Sequence, residues 1–381
     1  MVPLARAFEG AGHEVAFATD PGFVGHVRGL GFQAFPAGLD MVEARKRFAE
    51  ATPSLDAVAP WDGMRYVLPG LFAGVRVPPM LEDLGRIIPD WRPDLLVHDS
   101  TEMAGAMAAE VVGIPHVEHS FGLLRPVETR RLSTATLAPV AERLGVPNPG
   151  VGGLKGELYL DICPPGFQLA EVADVPHVQP LRPVGFDDAP DAALPTWLTP
   201  LPARPLVYVT MGTEFNKEPA VFRAILDGLA DEPYDVVVTV GATGDPDALG
   251  PRPANVRIER FIPQSRLLPY SAAFVSHGGS GATLGALRAG VPMLAIPQGA
   301  DQFLNAERIV ETGVGLRLMP SELSASAVRD AVRALIDDRR YVEAVAVHQA
   351  SIEAMPSPEE VVPILEGLVS AAVERDPGRG R

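Results

Sequence analysis

Ser276-His277-Gly278-Gly279-Ser280-Gly281-Ala282-Thr283 combines backbone freedom with three polar side-chain types within a few residues. It follows the apolar stretch Ala273–Ser276 and leads into a helix that ends near Gly290-Val291-Pro292. Glycines at a strand-to-helix turn let the backbone approach a ligand closely, and the first N–H groups and dipole of the helix favour a diphosphate there. Ser280 and Thr283 add hydroxyl donors and His277 adds a ring N–H. A tight turn without a ligand would use the same glycines, and no Gly-Lys-Ser/Thr is present, so this is not a Walker A loop. The next turn adds chemistry of another kind. Met293–Ile296 reads as a strand that ends in Pro297-Gln298-Gly299-Ala300-Asp301-Gln302, before a helix spanning Phe303–Thr312. Open α/β sheets bind ligands at the C-terminal ends of their strands. A carboxylate beside a carboxamide offers acceptors and donors to several hydroxyls, as a sugar requires. The plainer alternative is that Asp301 caps its own helix.

In the first half, Asp99 closes the strand Leu95–Asp99 and precedes a helix that begins near Thr101. A carboxylate there can orient a histidine general base and stabilise its protonated form, or simply cap the helix. No histidine is an evident partner: His13 lies in a turn, His26, His177 and His348 lack chemical neighbours, and His98, His116 and His119 flank strand ends. Asp245-Pro246-Asp247 sits in a Gly/Pro-rich loop and reads as a turn rather than a metal site. Cys163 is the only cysteine, so no internal disulfide is expected, and no His/Cys cluster has ligand spacing, so no metal is expected.

The elements that must position these groups are short apolar strands alternating with amphipathic helices. Glu14–Thr19, Leu95–Asp99, His116–Ser120, Leu206–Thr210, Asp235–Val240, Ala273–Ser276 and Met293–Ile296 read as strands of parallel sheets covered by helices. A chain of 381 residues suggests two domains. The proline- and aspartate-rich segment 184–205 reads as a linker between residues 1–183 and 206–355. Pro356-Ser357-Pro358 then sets off a last helix, in residues 356–381, able to pack back on the first domain. Met41–Pro89 is less regular, either a cleft-lining insertion or an irregular helical excursion. A formal charge of −16 argues against nucleic-acid binding. No apolar run reaches membrane-spanning length and no signal peptide is evident, so a cytoplasmic location is expected.

From His277 to Gln302 the sequence resembles the donor-binding signature of the family 1 glycosyltransferases of GT-B fold, in particular bacterial enzymes that decorate polyketide and other natural-product aglycones. Val209–Thr213, Arg260-Phe261-Ile262-Pro263-Gln264 and Arg92–Asp99 extend the likeness over essentially the whole chain. The resemblance implies two Rossmann-like domains with parallel sheets facing across a cleft, and inverting, metal-independent transfer of a hexose from a nucleotide sugar to a hydroxyl. The nucleotide sugar is then a substrate and no cofactor is needed. It assigns the diphosphate to His277, Gly279, Ser280, Gly281 and Thr283, the donor sugar to Asp301 and Gln302, and the nucleoside to Gly212, Thr213, Ile262 and Gln264. It gives Asp99 the catalytic part of the carboxylate in a His–Asp dyad.

Departures from the pattern carry information. Phe261 stands where a tryptophan stacks on the base, Ala282 where a hydroxyl residue is usual, and Gly285 where a glutamate binds ribose hydroxyls. Losing the glutamate favours a dTDP-sugar over a UDP-sugar. The family carries its base in a Gly-His loop after a first strand, whereas this sequence opens on Met1-Val2-Pro3-Leu4, which reads as the following helix. An upstream start supplying that strand and loop is therefore expected. The acceptor implied is a small hydrophobic aglycone, and a homodimer is compatible with the sequence. A nucleotide-sugar epimerase or hydrolase of the same fold, or a non-catalytic donor-binding partner protein, would share the same donor residues.

Overall fold

The computed structural model describes residues 1–52, 63–146, 158–186, 195–198, 204–212, 218–241 and 244–375. The chain forms two compact units. Unit 1 comprises Met1–Cys163, Gln168–Arg182 and Met355–Arg381; unit 2 comprises Pro164–Phe167 and Pro183–Ala354. Most of the proposed linker, together with Thr213, lies outside the described residues.

Unit 1 opens with α1 (Val2–Gly10), whose Pro3 suits a first turn that needs no N–H donor. There follow β1 (Ala16–Thr19), α2 (Val24–Gly29), β2 (Gln33–Pro36) and α3 (Met41–Ala51). α4 (Gly63–Val67) runs through π-helical turns over Leu68–Arg76 into α5 (Val77–Trp91). The described part of the Met41–Pro89 region is thus helical. Pro69 and Pro78 sit at the starts of helical segments, where proline is tolerated. Next come β3 (Leu96–Asp99), α6 (Met103–Val112), β4 (His116–His119), α7 (Val127–Leu144), β5 (Leu158–Asp161) and β6 (Val178–Pro180). The sheet is parallel and in two pieces, β1-β2 and β3-β4-β5-β6.

Unit 2 holds β7 (Leu206–Thr210), α8 (Pro219–Leu229), β8 (Asp235–Thr239), β9 (Val256–Glu259), α9 (Gln264–Leu267), β10 (Ala273–Ser276), α10 (Ser280–Ala289), β11 (Met293–Ala295), α11 (Gln302–Glu311), β12 (Gly315–Arg317), α12 (Ala325–Asp337) and α13 (Arg339–Glu353). Its parallel sheet has the order β12-β11-β10-β7-β8-β9. Every residue of β7, β10 and β11 is buried, which explains their unbroken apolar character. The order reverses between β7 and β10, so the crevice of this sheet opens at their C-terminal ends. Gly212 follows one of these strands and His277 the other.

The last helix, α14 (Pro358–Arg375), belongs to unit 1. Val361 and Leu365 are fully buried with Leu4 of α1, Val117 and Leu160. Each such side chain contributes about 1.5–3 kcal/mol on burial. The Arg182 N–H donates to the Pro356 carbonyl at 2.7 Å, and its Nε to the Met355 carbonyl at 2.9 Å. Prolines end α13, and these contacts direct the chain onto α1.

Candidate active site

His277 leaves β10 with its ring wedged between two glycines. A Cβ on Gly212 would lie 2.7 Å from its Cε1, and one on Gly279 would lie 2.6 Å from its Nε2. Gly212 also holds φ at +73°, a conformation that side chains with a Cβ adopt only at a cost. The loop after β7 and the loop after β10 therefore meet through this imidazole at the switch point. Burial lowers the His277 pKa, with Asp301 pulling weakly the other way, so the ring is neutral near pH 7 and offers an N–H.

The hydroxyls of the turn face inward. Thr283 Oγ1 donates to the Gly278 carbonyl at 3.3 Å, and Ser280 Oγ donates to Asp301 Oδ2 at 2.6 Å. Both brace the loop. Among the described residues, the amides of Gly279, Gly281 and Ala282 at the start of α10 have no acceptor within the helix and can face an anion. A Cβ built on Gly281 meets nothing within 4 Å.

Asp301 does not cap its own helix: α11 starts without a side-chain bond from it. Its Oδ2 instead accepts the Ser280 N–H at 3.0 Å, so it caps α10. Gln302 is 1% exposed. Its Oε1 accepts the amides of Gln298 at 2.7 Å and Gly299 at 3.0 Å. That clamp holds a loop in which Ala300 takes φ +55°, a strained value for a residue with a Cβ. Ile262 is buried behind the β9–α9 turn, whereas Phe261 beside it is 55% exposed. The Gln264 carboxamide lies over α10, where a Cβ on Gly285 would come within 2.4 Å of its Nε2. Asp245 caps a 3-10 turn by accepting the Asp247 N–H at 3.0 Å, and Asp247 pairs with Arg252.

In unit 1 the β3 and β4 ladder pairs Asp99 with His119. Asp99 Oδ1 accepts the Thr101 N–H at 2.8 Å and also the Thr101 hydroxyl. The helix cap is Glu102, whose carboxylate takes the Gly105 amide at 2.8 Å, so α6 begins at Met103 rather than near Thr101. The Met1 amino group lies within electrostatic reach of Asp99, although burial is the larger influence on it and lowers its pKa. His119 Nδ1 donates to the Ser120 carbonyl at 2.6 Å, which makes its Nε2 an acceptor. Burial pushes its pKa down to about 3. His98 and His116 bond each other at 3.2 Å inside the unit, and His13 bonds Glu366 at 2.8 Å in an exposed pair.

Two buried acids near these strand ends drew no attention in the sequence. Asp161, closing β5, accepts the Cys163 amide at 2.9 Å and the Gln168 carboxamide at 3.0 Å; burial raises its pKa to about 6. Glu118 is 2% exposed and has Arg125 at 3.5 Å. The position of Asp161 at a strand's C-terminal end was the available signal. Glu118 offered none.

Residues 6–212 match the family described as Erythromycin biosynthesis protein CIII-like, N-terminal domain, and residues 223–368 match its C-terminal domain. The chain belongs to the bacterial natural-product glycosyltransferases of family 1. It is a nucleotide-sugar-dependent transferase of GT-B fold. The transferase is 36% identical to L-demethylnoviosyl transferase of Streptomyces niveus, over 84% of this chain and 81% of that one. With 10-deoxymethynolide desosaminyltransferase of Streptomyces venezuelae it shares 32% identity over 99% and 95% of the two chains. The glycosyltransferase VinC, solved in complex with dTDP, matches the transferase with a TM-score of 0.78 at 30% identity, covering 97% of this chain and 96% of its own. Among the described residues no helix is long and apolar enough to cross a membrane.

Proposed function

We propose that this transferase moves a deoxyhexose from a dTDP-sugar to a hydroxyl of a small hydrophobic natural-product aglycone, with inversion. The observation that carries the reading is the meeting of Gly212, His277 and Gly279 at the switch point of unit 2, one turn from Asp301. A neutral ring N–H and the open amides of Gly281 and Ala282 suit a diphosphate leaving group, because preorganised donors stabilise the charge that grows there. The Gln264 carboxamide over Gly285 occupies the side where a ribose-binding carboxylate would project, which favours deoxyribose. Exposed Phe261 supplies a face for the base. The complex of VinC with dTDP and that of SpnG with thymidine diphosphate support the same donor.

In the step we propose, the acceptor oxygen bonds to the anomeric carbon as the bond from that carbon to the β-phosphate oxygen breaks. The electron pair leaves with dTDP, and the acceptor proton passes to a general base supported by the Asp99 carboxylate. His119, in register with Asp99, presents a lone pair but is a weak base while buried. The test is calorimetric titration with dTDP and UDP, followed by transfer assays in EDTA against a panel of polyketide aglycones. Preference for dTDP with acceptor-dependent, chelator-resistant turnover is expected. Donor breakdown without any acceptor would instead identify a hydrolase, and UDP preference would overturn the donor assignment.

A further inference from the structure

Asn305 lies one helical turn after Asp301 on α11 and is 1% exposed. Its Nδ2 donates to the Gly278 carbonyl at 2.8 Å and to Asp301 Oδ2 at 2.8 Å, with Ser280 Oγ at 3.3 Å. One carboxamide thus joins the backbone of the diphosphate turn to the carboxylate of the following loop. Asp301 Oδ2 receives three donors in all: the Ser280 amide, the Ser280 hydroxyl and Asn305. Oδ1 has no protein donor among the described residues. A carboxylate with one oxygen held in a frame and the other open is preorganised to accept a hydroxyl.

We propose that Asn305 is a positioning residue for sugar recognition: it fixes Asp301 so that Oδ1 is presented to a donor hydroxyl, and it locks that carboxylate to the diphosphate turn. The sugar and the diphosphate are then read by one rigid unit. The same network engages the Ser280 amide, so phosphate contacts fall to His277 and the amides of Gly279, Gly281 and Ala282. This assignment rests on the donor reading given above.

The experiment compares the unaltered chain with Asp301→Ala, Asn305→Ala, Asn305→Asp and the Asp301→Ala/Asn305→Ala double variant. Calorimetry measures Kd for dTDP and for dTDP-glucose and dTDP-rhamnose, and the better-bound sugar nucleotide is carried into kcat/KM. The readout is the factor by which the sugar nucleotide binds more tightly than dTDP, which a general loss of stability would not move selectively. Each single alanine variant should reduce this factor roughly tenfold. The double variant should fall no further than Asp301→Ala, since residues acting through one another are not additive. Asn305→Asp keeps the volume but turns an acceptor toward Asp301 and the Gly278 carbonyl, and should lose as much as alanine even if Asn305→Ala folds poorly. Additive losses, or an unchanged factor in either Asn305 variant, would overturn the role of Asn305 alone. Failure of the unaltered chain to bind dTDP would overturn the donor reading and this proposal with it, as would sugar nucleotides that bind no more tightly than dTDP.

Discussion

Glu118 sits in a position where two strong effects oppose each other. Burial disfavours its ionised form, whereas Arg125 at 3.5 Å favours it. Burial wins, with a smaller push from Asp99 in the same direction, and the pKa rises from 4.5 to about 8. A raised acid pKa means that the fold binds a proton the unfolded chain releases. The associated stability is complete below pH 4.5 and is lost as pH climbs through 8. Three other buried groups act elsewhere. His98 and His119, both lowered to about 3, remove stability only as pH falls below their ordinary value of 6.5. Asp161, raised to about 6, has completed its effect by that pH. In the window from pH 6.5 to 8 the comparison with a variant at this position isolates Glu118, because the Met1 amino group, whose pKa burial lowers, and Glu102, whose pKa burial raises, are common to both proteins.

Each pH unit in that window corresponds to about 1.4 kcal/mol, so the unaltered protein should lose roughly 2 kcal/mol relative to Glu118→Gln. Glutamine preserves the shape of the neutral acid and cannot ionise. Scanning calorimetry from pH 6 to 8.5 would show the melting temperature of the unaltered protein falling progressively further relative to that of the variant. The gap should reach several degrees, at about 2–4 °C per kcal/mol for a unit of this size. Parallel curves between pH 6.5 and 8 would mean that Arg125 keeps Glu118 ionised throughout, and would refute the ranking of burial over the ion pair.

Gly212→Ala would place a methyl 2.7 Å from His277 Cε1 at φ +73°; with a left-handed cost of about 1–2 kcal/mol, dTDP affinity should fall roughly tenfold by calorimetry, and an unchanged Kd would detach the ring from the nucleotide site. His277→Ala should cost about 1.5–3 kcal/mol of affinity for dTDP and for the sugar nucleotide alike, and unaltered dTDP binding would move the diphosphate elsewhere. Asp99→Asn should lower kcat by roughly 100- to 10,000-fold with donor affinity unchanged, and full activity in steady-state assays would remove Asp99 from the chemistry.

What could be read from sequence was what is encoded locally. The turn after β10 was legible because a strand, three glycines and a helix start are contiguous. The internal partners of the Ser280 and Thr283 hydroxyls, Asp301 and the Gly278 carbonyl, were not legible there. Asp301 arrives from the next βα loop, and hydrogen bonds across that gap leave no periodicity. Asp301 had two sequence readings, cap of its own helix or sugar ligand. The observed bond to the α10 amide is a third, available only once β10 and β11 lie side by side. Asp99 followed the same rule in reverse. Glu102, three residues further on, took the capping role through an i,i+3 bond from the Gly105 amide, while the Asp99 carboxylate accepts from Thr101. Capping and ligand binding compete for the same few oxygen atoms at strand ends. Where a nearby acid already caps the helix, as Glu102 does for α6, Asp99 is not needed for that cap, and the Asp99→Asn variant tests whether it serves the chemistry instead.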